Sequence, residues 1–197
     1  IYDNAATAEE VAGLYDACPD PVVATPEPTP EPTPTLEESI IFNADYTTGS
    51  AADKTGNFKF GRDEETFTYE QQQGIQSILT SRTSSLKYEG PEISLGHKGT
   101  YEVYFFSNDA TGTHEFIKFG EILEYDQDSG FGFYTSGLLL QNSADNSQYL
   151  GKWTHLVVVV DGNNATMYLN GERLLSGDYS AGIATSGRVD AGFNEDA

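Results

Sequence analysis

The chain has 197 residues, room for one ordinary β-sandwich with appendages or for two very small domains, and one large core is the default. Its 10 Lys and Arg against 31 Asp and Glu give a formal charge of −21, which repels phosphate backbones and anionic lipid and disfavours nucleic acid and membrane surfaces as partners. The longest aliphatic run, Leu156 to Val160, is far short of the ~18 apolar residues of a membrane span, and the lone Cys18 excludes an internal disulfide or a multi-Cys zinc site.

The sequence opens at Ile1 with no basic or apolar leader, and its only methionine is Met167, so a processed product or an excised fragment is expected. Thr7-Ala-Glu-Glu10 has capping-box spacing, and Val11, Leu14 and Tyr15 follow at helical offsets. The pattern predicts a short helix over 8–15, preceded by an extended Ile1-Tyr2-Asp3. Fifteen residues bury no core of their own, so this piece is expected to belong to a larger neighbour. Cys18 follows it at the exit of that neighbour, and its disulfide partner is expected upstream of Ile1.

Seven of the eight prolines fall between Pro19 and Pro34, and the core of that stretch, Thr25–Thr35, alternates Pro with Thr and Glu. Alternating prolines fix φ and remove backbone donors, so residues 19–35 are expected to form a polyproline-like linker of about 3.1 Å per residue, stiffened by Glu27 and Glu31.

After the linker, short β-rich runs alternate with Gly, Asn, Asp and Ser. Strands are predicted at 39–43, 57–60, 66–70, 75–81, 86–89, 101–107, 115–125, 131–135, 138–142, 153–161, 165–170 and 172–175. No long helical period interrupts them. The pattern argues an all-β, two-sheet antiparallel sandwich or jelly roll, with a closed barrel as the alternative.

The most informative stretch runs from Gly151 to Leu174. It reads as a hairpin whose first strand is apolar on both faces, as a strand covered on both sides would be, with a turn at Asp161-Gly162-Asn163-Asn164 and a second tight turn at Asn170-Gly171. Here the chain resembles the laminin-G-like family of the concanavalin A-type jelly roll, in which Trp153, His155, Asp161, Gly162, Tyr168, Asn170 and Gly171 occupy the signature positions. Gly99–Phe106 and Phe116–Gly120 look like that family's long inner-strand pair, and Ile1–Tyr15 looks like the final strand and closing helix of such a domain. The resemblance implies a tandem array: 1–18 as the end of an upstream domain, 19–35 as a linker, and 36–197 as a second domain that lacks its last strand. In the isolated chain, Ile1–Tyr15 is expected to dock into the vacant position.

The residues that bear chemistry are few. Relatives of this type bind calcium at a sandwich rim through loop carboxylates, which makes Asp109, Asp126 and Asp128 the expected metal ligands and calcium the expected cofactor. A sugar or protein ligand is expected to meet Tyr104, Asn108, Asn163 and Asn164. In 101–106 the alternation sets Tyr101, Val103 and Phe105 on one face and Glu102, Tyr104 and Phe106 on the other, and the Glu-bearing face is expected to be the wet one. Trp153 and His155 share a face, where a packed Trp and a hydrogen-bonded His are expected, with Trp153 plugging one end of the core. Glu124, Asp126 and Asp128 alternate as in a strand, but they match a glycosidase pattern poorly, because the third acid arrives early and runs into Ser129-Gly130.

The resemblance implies a non-catalytic, secreted or cell-surface binding module for a glycan or an extracellular protein. Two alternatives stand beside it, a glycoside hydrolase of the same fold and a purely structural spacer repeat.

Overall fold

The computed structural model describes residues 1, 5–17, 40–61, 68–80, 86–108, 111–135, 138–142 and 149–193. One α-helix, α1 (Ala8–Ala17), and a short 3-10 helix, Tyr46–Thr48, precede thirteen strands: β1 (Lys59–Phe60), β2 (Thr68–Gln72), β3 (Ile75–Leu79), β4 (Leu86–Ile93), β5 (Lys98–Phe106), β6 (Thr113–Phe119), β7 (Glu121–Asp126), β8 (Gly130–Thr135), β9 (Leu138–Asn142), β10 (Trp153–Asp161), β11 (Asn164–Leu169), β12 (Glu172–Asp178) and β13 (Ser186–Phe193). They form a seven-stranded sheet, β1-β4-β13-β6-β7-β8-β9, a four-stranded sheet, β12-β11-β10-β5, and a separate β2–β3 hairpin. The architecture is the expected all-β antiparallel sandwich with a short N-terminal helix. Cys18 and the Pro-rich stretch at 19–35 lie outside the described residues.

The core forms between the two larger sheets. Leu156, Val158 and Val160 of β10, Tyr101 of β5, and Ala165, Met167 and Leu169 of β11 face Leu86 and Tyr88 of β4, Ile117 and Phe119 of β6, Leu123 of β7, Phe131 and Phe133 of β8, and Val189 of β13. The alternate residues of β10, Val157 and Val159, point out of the sandwich. They are nonetheless buried, in a second cluster with Ala6 and Val11. The run 156–160 is therefore apolar on both faces because the second sheet covers one and the N-terminal segment the other. Each buried valine stabilises the fold by roughly 1.5–3 kcal/mol.

The N-terminal segment docks on this body. Ile1 is only 5% exposed and joins the main core. Its amine donates to the Phe42 carbonyl at 3.1 Å, and its carbonyl accepts from the Ile41 amide at 3.0 Å. The capping box forms as its spacing predicts: the Glu10 amide donates to Thr7 Oγ1 at 3.2 Å, and the Thr7 amide donates to Glu10 Oε2 at 2.7 Å.

Three elements differ from the sequence expectations. The run around 39–43 has no named strand, only isolated bridging that includes Ala44 to Asp53. The run 115–125 is two strands rather than one, broken at Gly120, whose φ of 70° is left-handed. A Cβ there would lie 2.3 Å from the Ala184 carbonyl oxygen, so only glycine admits the close approach of that backbone. Strand β13 was not expected. It lies between β4 and β6, with Val189 fully buried.

One buried acid anchors the 179–184 segment over this break. Glu121 is fully buried, its Oε2 accepting from the Tyr179 hydroxyl at 2.8 Å and its Oε1 from the Ala184 amide at 2.9 Å. Burial, with the Glu121 carboxylate beside it, pushes the Tyr179 hydroxyl far above the usual tyrosine range.

Candidate functional site

Strand parity places the functional side chains. Because Leu156, Val158 and Val160 face the core, Trp153 and His155 point to the outer face of the four-stranded sheet, with Glu102, Tyr104 and Phe106 of β5 beside them. Trp153 therefore does not plug the end of the core as expected. It lies three positions before Leu156, and an odd offset along a strand reverses the face.

On that outer face the aromatic rings form a shelf. Trp153 stacks on Tyr104 with ring centroids 4.8 Å apart and planes 12° apart, and it meets Phe106 edge-on at 5.6 Å. All three rings are half-buried. The tip of the β2–β3 hairpin latches one side of the shelf: the Trp153 indole N–H donates to the Gln72 carbonyl at 3.0 Å, and Gln73 Nε2 donates to the Gly151 carbonyl at 2.9 Å. Gln73 at φ 52° and Gly74 at φ 85° make the tight turn that brings the tip there.

Beneath the shelf, His155 is fully buried and lies 2.9 Å through Nε2 from Glu102 Oε1. Its backbone N–H donates to Asn170 Oδ1 at 2.9 Å, and its carbonyl accepts from the Asn170 amide at 2.8 Å. Asn170 and Gly171, both at positive φ, form the turn that makes this double contact possible. The expected structural role of His155, packed and hydrogen-bonded, is what the geometry shows.

The remaining expected site residues divide between the two ends of the sandwich. Asn108 is exposed at the end of the sheet where Trp153 begins β10. The 126–130 turn lies at this end too, tied to the β5–β6 connection by hydrogen bonds between Gln127 and Gly112. Asp109 lies outside the described residues. Asn163 and Asn164 sit at the opposite end, in the β10–β11 turn. There the Asn163 carbonyl accepts from the Tyr179 amide at 2.8 Å, and Asn164 Nδ2 donates to Ser176 Oγ at 3.0 Å. Tyr104 and Asn108 thus share one end of the molecule, and the two later asparagines do not join them.

Asp126 is committed to its own turn. Its Oδ1 accepts from the Asp128 amide at 2.9 Å, the Ser129 amide at 3.0 Å and the Ser129 hydroxyl at 2.8 Å, while Oδ2 accepts from the Thr113 hydroxyl at 2.9 Å. Partial burial alone would raise the pKa of its carboxyl, but the hydrogen bonds from Ser129, Thr113 and Asp128 outweigh it and hold the carboxyl below the usual range. Exposed Asp128 contributes its amide to that cap. Among the described residues no three His, Cys, Asp or Glu side chains are grouped to hold a metal ion.

The outer face of the seven-stranded sheet holds a second feature. Glu124 accepts from the Tyr134 hydroxyl at 2.8 Å, and it stands opposite Glu115 in the β6–β7 register. Both acids are buried, at 8% and 2% exposure. Phe116 is the extra residue in the register shift that follows Glu115; it turns inward to stack on Phe105 at 4.2 Å. Sequence reading singled out Glu124 but not Glu115, because the pairing is a matter of register.

With this geometry in place, comparison with known proteins decides the family. A laminin-G-type model, described as the concanavalin A-like lectin/glucanases superfamily, matches residues 91–192, from within β4 to Gly192 of β13. The chain belongs to this superfamily. No curated protein matches the chain in sequence. Among solved structures, this concanavalin A-like domain is similar to the binding domain of botulinum neurotoxin serotype D, with a TM-score of 0.62 and 13% identity over 80% of this chain and 44% of that one. It is also similar to domain 4 of AbnA, a GH43 extracellular arabinanase from Geobacillus stearothermophilus solved in complex with arabinotriose, with a TM-score of 0.57 and 16% identity over 76% of this chain and 81% of that one. The botulinum neurotoxin type G receptor-binding domain gives 0.54 and 16% over 77% and 42%. The chain spans less than half the length of the two toxin domains. At these identities the likeness is one of fold.

Proposed function

We propose that this concanavalin A-like domain is a non-catalytic module that binds a neutral glycan outside the cell or at its surface. The observation that carries the reading is the shelf of Tyr104, Trp153 and Phe106, half-buried on an outer sheet face at the same end as Asn108. A ring face packs against the apolar C–H face of a sugar, and a nearby amide bonds its hydroxyls. The charge of −21 argues against sulfated or uronate-rich glycans as the ligand. Likeness in fold to an arabinanase domain solved with arabinotriose supports an oligosaccharide as the ligand class. Nothing in the reading is routed through calcium.

The test is a titration of the full chain with neutral oligosaccharides, arabino-oligosaccharides included, followed by the single tryptophan's fluorescence. Saturable binding that Tyr104→Ala removes without changing the circular dichroism spectrum is expected. No binding across the panel, or binding indifferent to Tyr104→Ala, would sink the proposal.

One observation favours a second reading, a glycoside hydrolase: Glu115 and Glu124 are carboxylates opposed on adjacent strands. Against it, both are buried, and Glu124 is engaged by Tyr134. Turnover of a polysaccharide that Glu124→Gln abolishes would establish the hydrolase and displace the binding module.

A further inference from the structure

Among the described residues, two that are not glycine take a left-handed backbone, Asn170 and Gln73. Asparagine enters that region readily, and Asn170 uses its side chain there to accept from the His155 amide beneath the shelf. Gln73 is the harder case. It holds the first central position of the two-residue β2–β3 turn at φ 52°, followed by Gly74 at φ 85°, where glycine and asparagine are the usual choices. A glutamine at this point carries backbone strain that a glycine would avoid, and it brings a side chain that a glycine would lack.

That side chain is held at the shelf. Its Nε2 donates to the Gly151 carbonyl at 2.9 Å, while the carbonyl of the preceding Gln72 accepts from the Trp153 indole N–H at 3.0 Å. Both bonds converge on residues 151–153, and Gly151 is itself fixed by its amide on the Ser107 carbonyl, just past β5, at 2.9 Å. The hairpin does not hang on these bonds alone: Ile75 is buried behind the tip, and Ile78 packs against the main core.

The arrangement divides the work of recognition between two groups. With its N–H taken by Gln72, Trp153 offers a ligand its ring and no donor. The partner of Gln73 is a carbonyl, which only accepts, so the amide nitrogen must face it and the amide oxygen faces away. Gln73 is exposed, and a Cβ built on Gly74 or on Gly151, the backbone on either side of the amide, would meet nothing within 4 Å. Oε1 is thus an acceptor held in one place, beside the rings and bordered by open space. Stacked rings engage the C–H face of a sugar but do not read its hydroxyls, whereas a fixed acceptor at their edge does.

We propose that Gln73 sets the specificity of the glycan site, its Oε1 accepting a hydrogen bond from one hydroxyl of the sugar seated on the shelf of Tyr104, Trp153 and Phe106. The proposal rests on that shelf being the glycan site. The bond to Gly151 orients the amide before the ligand arrives, so less rotamer freedom is lost on binding.

The experiment titrates the full chain with neutral trisaccharides, arabinotriose among them, and with singly deoxygenated forms of the one that binds best, followed by the emission of Trp153. Gln73→Gly is the variant, because glycine keeps the left-handed turn and removes only the side chain. The parent sugar is expected to bind Gln73→Gly about 3- to 10-fold more weakly than it binds the unmodified chain. One deoxygenated form is expected to bind the unmodified chain more weakly by the same factor and to lose nothing further on Gln73→Gly, the coupling that a direct hydrogen bond requires. The comparison holds even if the variant loosens the shelf, because a loosened shelf weakens every form alike. An equal loss for the parent sugar and every deoxygenated form would make Gln73 a support of the shelf without ligand contact and overturn the proposal, as would affinities untouched by Gln73→Gly. If those untouched affinities still vanish with Tyr104→Ala, the shelf stands as the glycan site and the role of Gln73 alone falls. If no neutral sugar binds the unmodified chain, the glycan reading of the shelf fails and this proposal with it.

Discussion

Trp153 and Tyr104 lie nearly parallel, 12° between planes and 4.8 Å between centroids, on the diagonal of the β5–β10 pairing. Offset stacking of this kind adds about 0.5–1.5 kcal/mol beyond area burial. Because Trp153 is the only tryptophan, the chain's tryptophan emission reports on the surroundings of this ring alone. Tyr104→Ala is expected to shift that emission to longer wavelength and to lower stability by about 1–2 kcal/mol, as read by urea unfolding. An unchanged spectrum would mean that the two rings do not stack in solution.

The His155 and Glu102 pair lies under the same shelf, with His155 completely buried. Removing one partner of a buried polar pair costs about 1–3 kcal/mol, whereas an isosteric replacement that still accepts a hydrogen bond costs less. Glu102→Ala is therefore expected to destabilise the domain clearly more than Glu102→Gln. Equal losses in chemical denaturation would show that the contact contributes packing and not a hydrogen bond.

The parts of this structure that were legible in the sequence are those set by local pattern. The 156–160 run with Asp161-Gly162 specifies the β10–β11 hairpin, and Glu102-x-Tyr104-x-Phe106 specifies which side of β5 is wet. The face of Trp153 was available by counting back from Leu156. Strand β13 was not legible: two glycines, Arg188 and Asp190 dilute its pattern, and it is fixed by pairing with β4 and β6 on either side. The latch from Gln72 and Gln73 to the shelf, and the opposition of Glu115 to Glu124, depend on register and on contacts between residues far apart in the chain.

Gly120 stands at the junction of β6 and β7, where the chain reverses beside the 179–184 segment. Its φ of 70° costs an alanine about 1–2 kcal/mol on its own. The added Cβ would also lie 2.3 Å from the carbonyl oxygen of Ala184, a backbone atom with no flexible side chain to yield. Ala184 in turn is held by its amide on Glu121, so relieving the clash means loosening a buried carboxylate from its donors. The costs add because the same contact is strained from both sides. Gly120→Ala is expected to lower stability by about 3–5 kcal/mol, a fall of roughly 6–20 °C in Tm for a domain of this size. A second variant, Glu121→Gln, keeps an acceptor for Ala184 and offers its amide to Tyr179, and its loss is expected to be smaller. A Gly120→Ala chain that melts within a degree or two of the parent would show that the reversal does not require the left-handed residue.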